Sequence, residues 1–271
     1  MAESRPPSPD PRPPSQSRGV VRVSWHSALM LTVASVMSLM AFCWPLLWHP
    51  GATLSGDGRT PLVFALVLPV VIALVMTQLG NDDLDVKALA LLGVLSAVGA
   101  AVRPLGAGTA GLEAIFFLII IAGRVFGPGF GFVLGNTTLF CSALLTSGVG
   151  PWLPYQMLAA GFVGLGAGLL PRLRGRLEIA LLAVYGVVMG FAYGWLMDLA
   201  FWPFTLGPSS QWSFLPGAPL GTNLHRFVLY NLATSMAWNG GRALSNAALV
   251  VLLGPAMLRI LRRAARRADF A

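Results

Sequence analysis

Charge is what this chain has least of. Only 10% of its 271 residues are charged, 56% are hydrophobic and the mean hydropathy is +0.73. A soluble domain carries about 25% charged residues, so an ordinary globule, a disordered protein and a coiled coil are all excluded. Lysine is nearly absent, for Arg supplies 17 of the 18 cations. There are two cysteines, Cys43 and Cys141, both in apolar runs. That speaks against a disulfide framework and against a cysteine metal site. The three histidines, His26, His49 and His225, are scattered. No HExxH, GxSxG, SxxK or GxxxxGK[ST] motif occurs, so hydrolytic chemistry has no signature here. Nothing calls for a cofactor, no enzyme activity is expected, and ATP-driven work would need a partner.

What is present is a series of long apolar runs. Residues 1–23 begin with six Pro and four Ser in the first 18 positions, a disordered tail. Residues 24–80 hold two runs, about 24–48 and 61–79, read as transmembrane helices. NDDLDVK at 81–87 is an acidic hinge, with the boundary at 81–86. From 87 to 271 six further spans are expected, near 88–105, 112–126, 128–147, 153–171, 177–202 and 239–258. A crossing takes roughly 20 residues. Pro128, PWLP at 151–154 and PRLRGR at 171–176 mark turns. Residues 203–238 would lie outside the crossings, with an interfacial helix near 224–237. The expected fold is thus an all-α polytopic membrane protein: a six-helix core, two helices before it and a basic C-terminal tail.

The net charge of +8 sits in short Arg patches between apolar runs. That is the positive-inside pattern rather than a nucleic-acid surface. With the N-terminus inside, fourteen Lys and Arg fall on cytoplasmic segments and four outside: Arg59, Arg103, Arg226 and Arg242. Eight spans with both termini cytoplasmic follow. RILRRAARRADF would be a basic helix against anionic lipid.

Polar residues in or beside spans are expensive in lipid and therefore informative. Arg103, Glu113, Asn136, Gln156, Asp198, Arg226, Asn239, Arg242 and Asn246 map mostly to the outer halves of their helices. Two readings stand. One is structural pairing, Arg103 with Glu113 and Asp198 with Arg226 or Arg242. The other is one polar cavity open to the outside. SGVGPWLPYQ and FWPFTLGPSSQWSFLPGAPLGTN carry no charge and are rich in aromatics. They suit either an interfacial belt or lids over a weakly charged ligand. The candidate ligand-binding residues are Arg103, Glu113, Trp152, Gln156, Trp238, Asn239, Arg242 and Asn246. Small residues recur every fourth position at Gly93–Ala97–Ala101, Gly127–Gly131–Gly135 and Gly164–Gly168. Such rows let helices approach closely. The glycine rows are read as packing within the chain, and the first row as packing or as a docking face.

The stretch from ALLGVLSAVGAAVRPLGAGTAGLE through RVFGPGFGFVLG and GVGPWLPYQMLAAG, with the later WNGGRALSNAALVVLLG, resembles the substrate-binding S components of energy-coupling factor (ECF) transporters, actinobacterial members most. The resemblance covers about 87–267. It implies a six-helix subunit that captures a vitamin or related micronutrient from outside, with a weak lean to cobalamin or another corrinoid. It further implies a transmembrane T subunit and two cytoplasmic ATPases as partners, in the plasma membrane. It implies too that Gly93, Ala97 and Ala101 face the T subunit, with Gly replacing the family's first Ala. The rival classes are a lipid-modifying membrane enzyme and a scaffold subunit.

Overall fold

The computed structural model describes residues 25–47, 69–70, 72–73, 86–106, 111–206 and 210–268. The expected tail, most of the 61–79 span and the hinge at 81–85 lie outside them. The described residues contain helices and no strand. The principal helices are α1 (Trp25–Phe42), α2 (Trp44–Leu47), α3 (Val86–Val102), α4 (Ile115–Phe126), α5 (Pro128–Leu145), α6 (Leu153–Leu169), α7 (Arg176–Phe201), α8 (Leu220–Thr234) and α9 (Met236–Ala268). Four are long and apolar enough to cross a membrane: Val86–Gly106, Pro128–Leu145, Arg176–Phe204 and Met236–Arg267.

The helix ends have local causes. Gly127 takes φ 100°, a conformation side chains resist, and its N–H still bonds Gly123. Pro128 then opens α5, where its missing N–H is no loss. Gly175 at φ 62° starts α7 in the same way. α8 and α9 are separate helices that meet at Ser235, so residues 224–237 are not an extension of the last span.

α4 has 12 residues, about 18 Å at 1.5 Å per residue, which is too short to reach across the hydrocarbon by itself. Its residues from Ile115 to Gly123, and Phe126, are all buried. Backbone that is not helical at membrane depth is tolerated where protein covers it. α4 is therefore the central strut, with α5, α6, α7 and α9 around it.

Glycine decides how closely the helices approach. A Cβ on Gly131 or Gly164 would strike the other's backbone, one on Gly135 would strike Ala160, and one on Gly168 would strike Pro128. The glycine rows are thus internal seams. Gly186, Gly190 and Gly194 of α7 form a further row, facing Asn246, Ala243 and Asn239 of α9. Gly93 has nothing within 4 Å of such a Cβ, and Ala97 and Ala101 are exposed with it. The buried face of α3 is instead Leu92, Leu95, Ser96, Gly99 and Ala100.

Candidate functional site

Contacts between helices gather the polar residues at two ends of the bundle, Glu113 with Arg242 at one and Arg124 and Arg262 with Glu178 at the other. α7 carries Glu178 and Asp198 twenty residues apart, and α9 carries Arg242 and Arg262 at the same spacing. Twenty residues of helix span about 30 Å, the thickness of the hydrocarbon core. Each pair is therefore spaced as far apart as the two boundaries of a hydrocarbon core.

At one end Arg242 is 5% exposed and makes a two-pronged ion pair with Glu113, Nε to Oε2 at 3.1 Å and Nη2 to Oε1 at 3.2 Å. Nη1 donates to the Asn239 Oδ1 at 3.0 Å and to the Gly190 carbonyl at 3.3 Å. That carbonyl is within reach because Gly190 lets α9 come close. The guanidinium also lies over the rings of Tyr193, 5.0 Å away, and Phe116, 6.0 Å away. Ser245 Oγ accepts the Glu113 N–H at 3.4 Å and donates to the Arg242 carbonyl. A planar fork that reaches both carboxylate oxygens and a flat surface that stacks on aromatic rings are what a guanidinium offers and an ammonium lacks.

Asn239 and Asn246 continue the buried face of α9. The Nδ2 of Asn239 and both amide atoms of fully buried Asn246 have no hydrogen-bond partner. Asn246 packs against Gly186 of α7. A buried polar atom left unpaired costs about 1–3 kcal/mol, and Asn136, Thr138, Tyr155 and Asn231 each leave one such atom elsewhere in the bundle.

Arg103 does not pair with Glu113, as one expectation had it. It donates to the Gln156 Oε1 at 3.2 Å and to the Ser142 Oγ at 3.4 Å. Asp198 pairs with neither arginine named for it. It accepts from Asn231 Nδ2 at 2.6 Å. Arg226 is spent on the carbonyls of Ser213 and Ser210, pinning the connection before α8. Six of the eight expected ligand-binding residues thus fall into two adjoining groups, Arg103 with Gln156, and Glu113 with Asn239, Arg242 and Asn246. Trp152, whose carbonyl accepts from the Gln156 N–H, and Trp238, next to Asn239 in α9, are 45% and 41% exposed.

The uncharged segment before α8 folds into its own aromatic cluster. Trp202, Phe227, Tyr230 and Leu199 are buried there, with Trp195, Trp212 and Phe214 packed against them. Trp202 Nε1 donates to the Trp212 carbonyl and Trp44 Nε1 to the Ala200 carbonyl, so α2 is fastened to this cap. Beside it lies an open depression of about 710 Å³ lined by Trp212, Thr222, His225 and Arg226 among others.

At the opposite end Glu178 is the hub. Its Oε1 accepts from Arg124 Nε at 2.8 Å and from Arg262 Nη2 at 2.6 Å. Arg124 also donates to the Leu170 carbonyl at 2.9 Å, closing the α6–α7 turn. Glu178 was not among the expected residues. Its signal was available, a single carboxylate among the arginines of RLRGRLE. The Gly186–Gly190–Gly194 row was missed as well, although its spacing of four is plain in the sequence. Among the described residues no three His, Cys, Asp or Glu side chains converge to hold a metal ion.

Comparison with family models, with curated proteins and with solved structures finds no match to this chain.

Proposed function

We propose that this chain is the substrate-capture subunit of an ECF-type importer, taking a vitamin or related micronutrient at the end that carries Arg242. The observation that carries the reading is the pair of buried asparagines. Asn239, which accepts from Arg242, and Asn246, one turn further along α9, hold unpartnered amide atoms, and a ligand can supply what the protein leaves unmade. In this reading α3 to α7 and α9 are the six-helix core, preceded by α1 and the span expected at 61–79. Both termini lie in the cytoplasm, the protein sits in the plasma membrane, and Arg242 is at the outer boundary. Transport then runs with a T subunit and two ATPases. Gly93, Ala97 and Ala101, exposed on α3, receive the T subunit. The aromatic cap around Trp202 stands at the ligand's end, and a corrinoid is the favoured large ligand.

The test is to purify the chain from its native membrane and identify what small molecule comes with it. A bound micronutrient that Asn246→Leu abolishes, in a protein that still folds, supports the reading. A parent chain that carries no ligand and binds none of a panel of vitamins overturns it.

A further inference from the structure

Among the described residues, the end of the bundle built around Glu178 is short of negative charge. Among the described residues Glu178 is its one carboxylate, and both Arg124 and Arg262 already share one of its oxygens. Two guanidiniums on one carboxylate leave an excess positive charge. Arg124 is buried, its side chain 5% exposed, while that of Arg262 is 45% exposed, so the excess is presented through Arg262. Around it the exposed arginines are ordered. Arg259, Arg262, Arg263 and Arg266 fall at i, i+3, i+4 and i+7, one stripe along α9. Leu258 and Leu261, on the neighbouring side of the same helix, are buried in the core. That packing holds the stripe against the bundle instead of leaving it on a loose tail. Arg174 and Arg176, also exposed, lie in the turn that leads into Glu178.

Depth sets the chemistry of the partner. Arg262 is twenty residues, about 30 Å, from Arg242, so it stands at the far boundary of the hydrocarbon core. Arg266 reaches one turn further, to the level of lipid phosphates. Ile260, between the arginines, is 59% exposed, as suits a side chain against acyl tails. A headgroup phosphate at this level meets arginine forks, and a chain below it meets apolar helix. We propose that the α9 stripe, with Arg174 and Arg176, is a seat for the headgroup of an anionic phospholipid. The guanidinium fork binds phosphate oxygens in pairs, and each arginine near an anionic surface adds attraction. This inference is independent of what the opposite end binds.

The experiment uses the full chain, purified and stripped of lipid. Native mass spectrometry counts bound phosphatidylglycerol against phosphatidylcholine, with melting temperature as a second readout. The parent is expected to bind phosphatidylglycerol at least tenfold more tightly and to melt later with it. In Arg259→Gln/Arg263→Gln/Arg266→Gln, which spares the Glu178 cluster, that preference should fall at least tenfold with the lipid-free melting temperature unchanged. If the triple variant does not fold, the parent's preference is compared at low and high salt, and a preference that salt does not weaken overturns the proposal. Equal binding of the two lipids by the parent overturns it. So does an equal stabilisation by inorganic phosphate alone, which would make this a site for a free anion. A preference that emerges only in Asp82→Asn/Asp83→Asn/Asp85→Asn also overturns it, because the chain's own acidic segment would then occupy the seat.

Discussion

Arg242 of α9 and Glu113, just before α4, are 129 residues apart in sequence and meet through two N–O contacts of 3.1 and 3.2 Å. The pair ties the start of the central strut to the last helix at the level where the polar residues gather. Removing one partner of a buried pair leaves the other charge uncompensated, at a cost of about 3–5 kcal/mol. The Glu113 side chain is 24% exposed, so water softens the loss. Glu113→Gln is expected to cost about 3 kcal/mol, at the low end of that range, and to lower the melting temperature. Arg242→Lys keeps the charge but loses the fork and the stacking on Tyr193, so it should weaken ligand binding at least tenfold with a smaller loss of stability. Melting curves and binding isotherms of the two variants separate these effects.

The glycine seams predict a sharp contrast between positions. Gly164→Ala places a Cβ against the Gly131 backbone, and overpacking of this kind costs typically 1–3 kcal/mol. Gly93→Ala meets nothing, and in a helix it should gain up to about 1 kcal/mol. Thermal melting in one detergent checks both. Equal effects would contradict the packing described for α5 and α6.

The exposed α3 row predicts a separation of functions. Ala97→Leu and Ala101→Leu add side chains to an exposed face, so folding should stay intact, and under the proposed function ligand binding should persist while transport with the T subunit is lost. Uptake assays beside binding assays measure this. Loss of binding together with transport would mean that the row serves the ligand site.

Orientation has its own test. A cysteine replacing Gly175 should react only with reagent on the cytoplasmic side, and one replacing Ser210 only with reagent outside. Both positions are described and lie at opposite ends of α7 and its C-terminal connection. The reverse labelling would invert the topology.

Helix boundaries were legible because their causes are local. Pro128, PWLP and the PRLRGR turn act within a few residues of themselves. That Glu113, Asn239 and Arg242 lie toward one end of the bundle was legible too, since position along a helix converts directly to distance. Their partners were not. Arg103 and Glu113 flank one short turn, and sequence proximity suggested a pair. The structure joins each to a residue far along the chain, Gln156 and Arg242. Pairing across a bundle depends on which helices are neighbours, and periodicity within one helix does not encode that. The shortness of α4 was hidden because an apolar run reads alike whether helical or extended at its edge.

The central claim is that the Arg242 end holds a small-molecule ligand, and the most direct measurement is mass-spectrometric identification of what co-purifies with the parent chain and with Asn246→Leu. The account predicts a micronutrient near one per chain in the parent and little or none in the variant, with both proteins monodisperse. A parent chain free of ligand, or a ligand retained in full by Asn246→Leu, would contradict it.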